Sequence, residues 1–221
     1  LIADRMMQSL QGTAQLTLHS SFDASACQAM RKKRVADGES KVSINDLIAK
    51  AILSALKIHP EMNAHFLGDR LAVFHEVHLG IAVDSPRGLM VPVVEDASKM
   101  SLEMLSAEIK KKAIACREGT IQPDELSGGT FTLTNLGMLG VENFTPVLNP
   151  PEIAILGVGG ISVKPKRLEN GEVSFVDQIS LSLTIDHQAI DGAPAARFLQ
   201  TFVTHLENHP GEDPSTIEGE E

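Results

Sequence analysis

The stretch SLSLTIDHQAIDGAPAARFL, residues 180–199, decides how the rest of the chain is read. From Ile179 to Ile185 apolar residues alternate with Ser and Thr, the period of a half-buried strand. A short polar turn follows. A helix then opens at about Gly192, with Ala195, Phe198, Leu199, Phe202, Val203 and Leu206 recurring at helical spacing. His187 falls just beyond the strand end, where rigid elements fix a side chain and leave it reachable. Asp191, ahead of Gly-Ala-Pro, has the signature of a helix N-cap whose carboxylate satisfies free amides.

Other segments extend the pattern. Ser43 to Lys57 sets Ile44, Leu47, Ile48, Ala51, Ile52 and Ala55 on one stripe, with Ser43 and Asp46 at capping-box spacing. Ser101, an N-cap type, opens a second helix carrying Leu102, Leu105, Ile109 and Cys116. Thr130 to Thr134 (TFTLT) alternates as a half-buried strand. LAVFHEVHLGIAV, residues 71–83, reads as one strand, which would point His75 and His78 to opposite faces and argue against a metal site there. Strands interleave with helices throughout, so the fold class is α/β or α+β around a mixed sheet flanked by helices. Residues 1–207 read as one domain. Residues 208–221, acidic and with two prolines, read as a tail.

Composition narrows the function. With 29 acids against 19 bases, a net charge of -10, and neither Trp nor Tyr, the chain lacks the basic footprint and stacking platforms of a nucleic-acid binder. Two distant cysteines, Cys27 and Cys116, make neither a disulfide framework nor a zinc site and suit a reducing compartment. No uncharged apolar run approaches the ~18 residues of a membrane span. A start at Leu1, with neither Met nor a signal pattern, reads as an excised or cleaved domain.

Taken alone, Asp186-His187 with an Asp four residues on has two readings. One is a structural histidine beside a capping aspartate. The other is a general base, since imidazole titrates near pH ~6.5. The glycines of LGVGGIS lack a dinucleotide fingerprint and read as strand-end or close-approach positions. No GxSxG occurs, which disfavours a common serine hydrolase. Lys110, Lys111 and Lys112, and Lys164, Lys166 and Arg167, read as solvated basic faces rather than phosphate sites.

DHQAIDGAPAARFL resembles the DHxxxDG segment of the dihydrolipoyl acyltransferases, core subunits of 2-oxo-acid dehydrogenase complexes, and of the related chloramphenicol acetyltransferases. ADRMMQSL, TAQLTLHSSFD, HLGIAVDSPRGLMVPVVEDASKMSL and GGTFTLTNLGMLGVENFTPVLNPPEIAILGVG follow the family's order, so the resemblance runs from about Ile2 to Leu206. TFTLTNLG and NPPEIAILGVG resemble the dihydrolipoyl branch.

The resemblance implies a chloramphenicol acetyltransferase-like trimer with sites at subunit boundaries. His187 matches the family's base, which deprotonates the thiol of coenzyme A or of dihydrolipoamide. Thr134 stands where the family has a serine hydroxyl that steadies the oxyanion; its extra methyl stiffens the side chain. Asp191 matches an Asp or Asn near the base. Asp84 and Arg31 resemble positions paired in a structural salt bridge. The lipoyl group would be carried on a domain not present in this chain. Docking to the 2-oxo-acid decarboxylase and to dihydrolipoyl dehydrogenase would likewise use missing domains. The implied location is the cytoplasm, or the mitochondrial matrix of a eukaryote. Core members often end in an aliphatic C-terminus; the acidic GEDPSTIEGEE here puts a 24-mer or 60-mer in question. A free-standing O-acetyltransferase and an inactive structural core subunit are the alternatives.

Overall fold

The computed structural model describes residues 2–168 and 170–212. In chain order the elements are α1 (Ile2–Gly12), β1 (Gln15–Asp23), α2 (Ser25–Ala36), α3 (Ile44–Ile58), β2 (Ala64–Phe66), β3 (Leu71–Val73), β4 (Leu79–Ile81), β5 (Val83–Ser85), β6 (Gly88–Met90), β7 (Val93–Val94), α4 (Leu102–Glu118), β8 (Phe131–Asn135), β9 (Ala154–Arg167), β10 (Val173–Asp186) and α5 (Gly192–Asn208). Six strands form one sheet in the order β1-β10-β9-β8-β4-β7. The β4–β8 and β8–β9 pairs are parallel and the others antiparallel, so the sheet is mixed as expected.

Register makes the two faces chemically distinct. Leu18, Leu183, Leu156, Leu133 and Ile81 lie opposite one another across five strands, an unbroken aliphatic row. The next row is Thr17, Thr184, Ile155, Thr132 and Gly80. The aliphatic face is covered by helices. Phe198 of α5 tilts against Phe131 of β8 with ring centroids 5.7 Å apart, and α3 packs along α5. Burying one large aliphatic side chain contributes about 1.5–3 kcal/mol, so this layer carries most of the cohesion.

Local signals fixed the helix ends. In α3 the Ser43 hydroxyl accepts from Asp46 N at 3.1 Å, while Asp46 Oδ2 accepts from Ser43 N at 2.7 Å, completing the expected capping box. Ser101 caps α4, and Gly119 closes it with φ 73°, a left-handed value that glycine adopts without strain.

Three expectations need correction. The Ser/Thr face of β8 and β10 is not open to water: Thr130, Thr132, Ser180, Ser182 and Thr184 are all buried. Side-chain hydrogen bonds offset part of that burial, including Thr17 with Thr184 at 2.8 Å and His19 Nδ1 with Ser182 at 2.9 Å, whereas Ser180 Oγ is buried without a partner. Residues 71–83 are not one strand, because Phe74–His78 leave the ladder between β3 and β4. There Asn63 Nδ2 donates to the Phe74 and Glu76 carbonyls, and Asp96 N to His78 Nδ1, drawing the chain out of line. The domain also extends past residue 207: α5 ends at Asn208, and Gly211 packs beside Met30, Leu47 and Leu102. The rest of the acidic tail, 213–221, lies outside the described residues.

Candidate active site

The β10–α5 junction is built around backbone bonds. Asp186 N donates to Ile153 O at 2.9 Å and His187 N to Ala14 O at 2.8 Å, while Ala189 N and Ile190 N donate back to Asp186 O. Ile190 is buried and anchors the turn. The His187 side chain stays 45% exposed, with Nδ1 3.5 Å from Asp191 Oδ1.

Asp191 holds the N-cap backbone conformation (φ −80°, ψ 162°), but its carboxylate makes no cap hydrogen bond. It turns instead toward the imidazole. The contact, with Asp191 83% exposed, orients the ring more than it stabilises the fold.

Thr134, next to last in β8, lies on the face away from the helices. The row His19–Ser182–Gly157–Thr134 crosses four strands. The Phe144 ring stands on Gly157: a Cβ added there would lie 2.8 Å from the ring. Phe144 thus walls the sheet surface one strand away from the threonine hydroxyl. Gly159 is similarly overlain by the Glu142 and Val141 carbonyls, so the glycine run does mark close approach.

One chain does not bring His187 and Thr134 together. They are two strands apart laterally and five residues apart along β10, about 19 Å from Cα to Cα at ordinary strand spacings. No side-chain rotation spans that gap. Nor do Arg31 and Asp84 meet. Arg31 Nε donates to Val42 O, and Asp84 is exposed on β5 with no ion pair between the two among the described residues.

Sequence reading missed two residues. One is Phe144, whose only signal was an aromatic residue ahead of a glycine-bearing strand. The other is Glu152, 3% exposed, whose carboxyl accepts from Thr132 Oγ1 at 2.6 Å and Asn149 Nδ2 at 3.0 Å. Burial pushes this acid up to about 7, with the Thr132 and Asn149 hydrogen bonds pulling the other way. A charge type at the head of the apolar run IAILGVG was its trace in the sequence.

Four of the six basic residues of the two runs, Lys111, Lys112, Lys164 and Lys166, are held in ion pairs. Lys164 meets Glu142 at 2.7 Å and Lys166 meets Asp23 at 3.0 Å. Lys112, expected on a solvated face, is buried and bridges to Glu125 at 2.9 Å. Among the described residues no cluster of His, Cys, Asp and Glu has a metal-site arrangement, and no helix is long and apolar enough to cross a membrane.

Residues 1–211 match the family described as 2-oxoacid dehydrogenases acyltransferase (catalytic domain), and the chain belongs to it. It is 41% identical over 211 residues to the dihydrolipoyllysine-residue acetyltransferase component of the acetoin cleaving system of Bacillus subtilis, covering 94% of this chain and 53% of that protein. It is 40% identical over 217 residues to the corresponding pyruvate dehydrogenase component of Mycobacterium bovis, covering 94% of this chain and 39% of that one. The chain thus spans about half, or less, of these relatives' length.

Among solved structures, the cubic core of a pyruvate dehydrogenase multienzyme complex superposes with a TM-score of 0.89 at 33% identity, covering 93% of this chain and 86% of that chain. The Azotobacter vinelandii dihydrolipoamide acetyltransferase gives 0.88 at 32%, with the same coverage. A chloramphenicol acetyltransferase, at 0.57 and 13%, covering 92% of this chain and 94% of that one, shares the fold.

Proposed function

We propose that this domain transfers an acyl group between a dihydrolipoyl thiol and coenzyme A within a 2-oxo-acid dehydrogenase complex, working as a trimer with sites between subunits. The observation that carries the reading is the half-exposed imidazole of His187, held beside Asp191 on a turn whose backbone is pinned on both sides. Free thiols, with pKa near ~8.5, are mostly protonated at neutral pH. Nε2 takes the thiol proton, and the sulfur attacks the thioester carbonyl. The tetrahedral intermediate collapses, its C–S bond to the outgoing carrier breaks, and His187 returns the proton to that sulfur. Atoms and charge balance with no further reactant.

Thr134 is the proposed oxyanion donor. Separation from His187 within one chain requires that a neighbouring copy supply it. Hydrophobic exposure supports the assembly: Ile161, Val163, Val173 and Phe175 stand together on one face of the β9–β10 hairpin, open to water in a single chain. The A. vinelandii relative was examined for the catalytic roles of a serine, a histidine and an asparagine, with the serine 52 positions before the histidine and the asparagine 4 after it. Here Thr134 lies 53 before His187 and Asp191 lies 4 after, a spacing that supports carrying those roles over.

Acetyl is the proposed acyl group. Phe144, beside Thr134, narrows the space where the thioester's acyl end would rest, and the relatives named above are acetyltransferases. The partners would be the decarboxylase and dihydrolipoyl dehydrogenase subunits of such a complex.

The test compares transfer from acetyl, isobutyryl and succinyl coenzyme A to dihydrolipoamide and to chloramphenicol. Acetyl transfer to dihydrolipoamide, abolished in His187→Ala, is expected. Transfer to chloramphenicol alone, or an unaffected His187→Ala, would refute the reading. Mixed His187→Ala and Thr134→Ala trimers should regain activity on subunit exchange; none regained despite proven exchange would exclude a shared site.

A further inference from the structure

The turn that presents His187 is held by a buried carboxylate to which the mechanism above assigns no part. Asp186 is 2% exposed and forms no ion pair among the described residues. Its Oδ1 accepts from Ala14 N at 3.1 Å, Gln188 N at 3.0 Å and Gln188 Nε2 at 3.2 Å. The Gln188 amide also donates to Gly12 O at 2.9 Å, and His187 N to Ala14 O at 2.8 Å. These bonds close a ring that clasps the elbow between α1 and β1, residues 12–14, onto residues 186–188.

Burying a carboxylate is costly unless donors replace its water. Among the described residues, each donor to it comes from one of the two segments, 12–14 and 186–188, that flank the imidazole. A side chain serving only the sheet would bond along the ladder; this one bonds around the base. With residues 186 and 187 both fixed through backbone amides, the imidazole keeps only its side-chain torsions, and Asp191 lies against one edge of the ring.

We propose that Asp186, seconded by Gln188, is a positioning residue that clamps the α1–β1 elbow to the catalytic turn and so sets where His187 Nε2 meets the thiol. The inference rests on His187 being the base. Displacing a reacting group by about 1 Å can slow a reaction by roughly 100-fold without weakening binding. The clamp should therefore act on kcat and leave KM alone.

The experiment measures kcat and KM for acetyl-CoA and dihydrolipoamide, together with thermal unfolding, in the full chain and four variants. Asp186→Ala should lose roughly 10–100-fold in kcat with KM held within about twofold. Asp186→Asn keeps a carbonyl oxygen for the two backbone donors and should recover to within about threefold of the parent. Gln188→Ala, at an exposed position, should lower kcat by roughly 3–10-fold with little change in melting. Should Asp186→Ala not fold, the last two variants decide.

Parent kcat in Asp186→Ala or Gln188→Ala would overturn the proposal. So would a rise in KM alone, or an Asp186→Asn enzyme as inactive as His187→Ala. The fourth variant, His187→Ala, separates the two readings: if it keeps the parent rate, the base assignment falls whatever the Asp186 variants do.

Discussion

Replacing Glu152 with Gln should stabilise the domain in alkaline buffer and do little in acid. The native carboxyl titrates at about 7 against an ordinary value of 4.5, because burial disfavours its charged form. Below pH 4.5 the acid is neutral in both the folded and unfolded chains and contributes nothing. Between 4.5 and 7 the unfolded chain sheds the proton and the folded chain retains it, so stability falls as pH rises. Above 7 the folded chain ionises too, and the penalty levels off.

At 1.36 kcal/mol per unit, the advantage of the Gln variant grows from about 1 kcal/mol at pH 5 to about 3 kcal/mol at pH 8. Glu152 is almost wholly buried, so solvent screening does not erode the figure. A Gln side chain fits the same space and still offers an oxygen to Thr132 or Asn149. Urea unfolding of both proteins at pH 5, 6, 7 and 8 reads the difference directly. A difference that stays flat across this range, or one that shrinks with pH, would refute the reasoning.

Four further outcomes are expected. Thr134→Ala should cut kcat by roughly 100–1,000-fold with little change in KM, and Thr134→Ser should keep most of it, as steady-state kinetics will read. Phe144→Ala should raise the isobutyryl-to-acetyl ratio of kcat/KM by roughly tenfold or more in competition assays, since pocket volume discriminates at about that level. Phe175→Asp should shift the species seen by light scattering from the proposed trimer toward monomer, because a charge replaces an exposed apolar side chain. Ser43→Ala should cost about 1 kcal/mol in urea unfolding, through loss of one bond of the α3 capping box.

Much of the architecture follows from the sequence because its signals act between near neighbours. Ser43 and Asp46 are three residues apart and cap α3 wherever that helix forms; Gly119 needs only its own φ to end α4. The alternation in TFTLT and ISLSLTI fixes which side chains share a face, and the DHxxxDG segment places a histidine past a strand end. Those features stand in the structure as read.

Tertiary structure decided what depends on contacts remote in the chain. Whether the Ser/Thr face meets water turns on what covers it, and Phe144 and Glu142 arrive there from a loop. A carboxylate at residue 191 has a choice between helix amides and the imidazole of His187, and spacing cannot rank the two. Glu152 becomes a perturbed acid only because the fold buries it, against the opposing pull of the hydrogen bonds from Thr132 and Asn149. Strand register, too, separates Thr134 from His187 by more than any side chain can reach. Local pattern names the elements and their faces; pairing partners and burial, set by the whole fold at once, determine which groups meet.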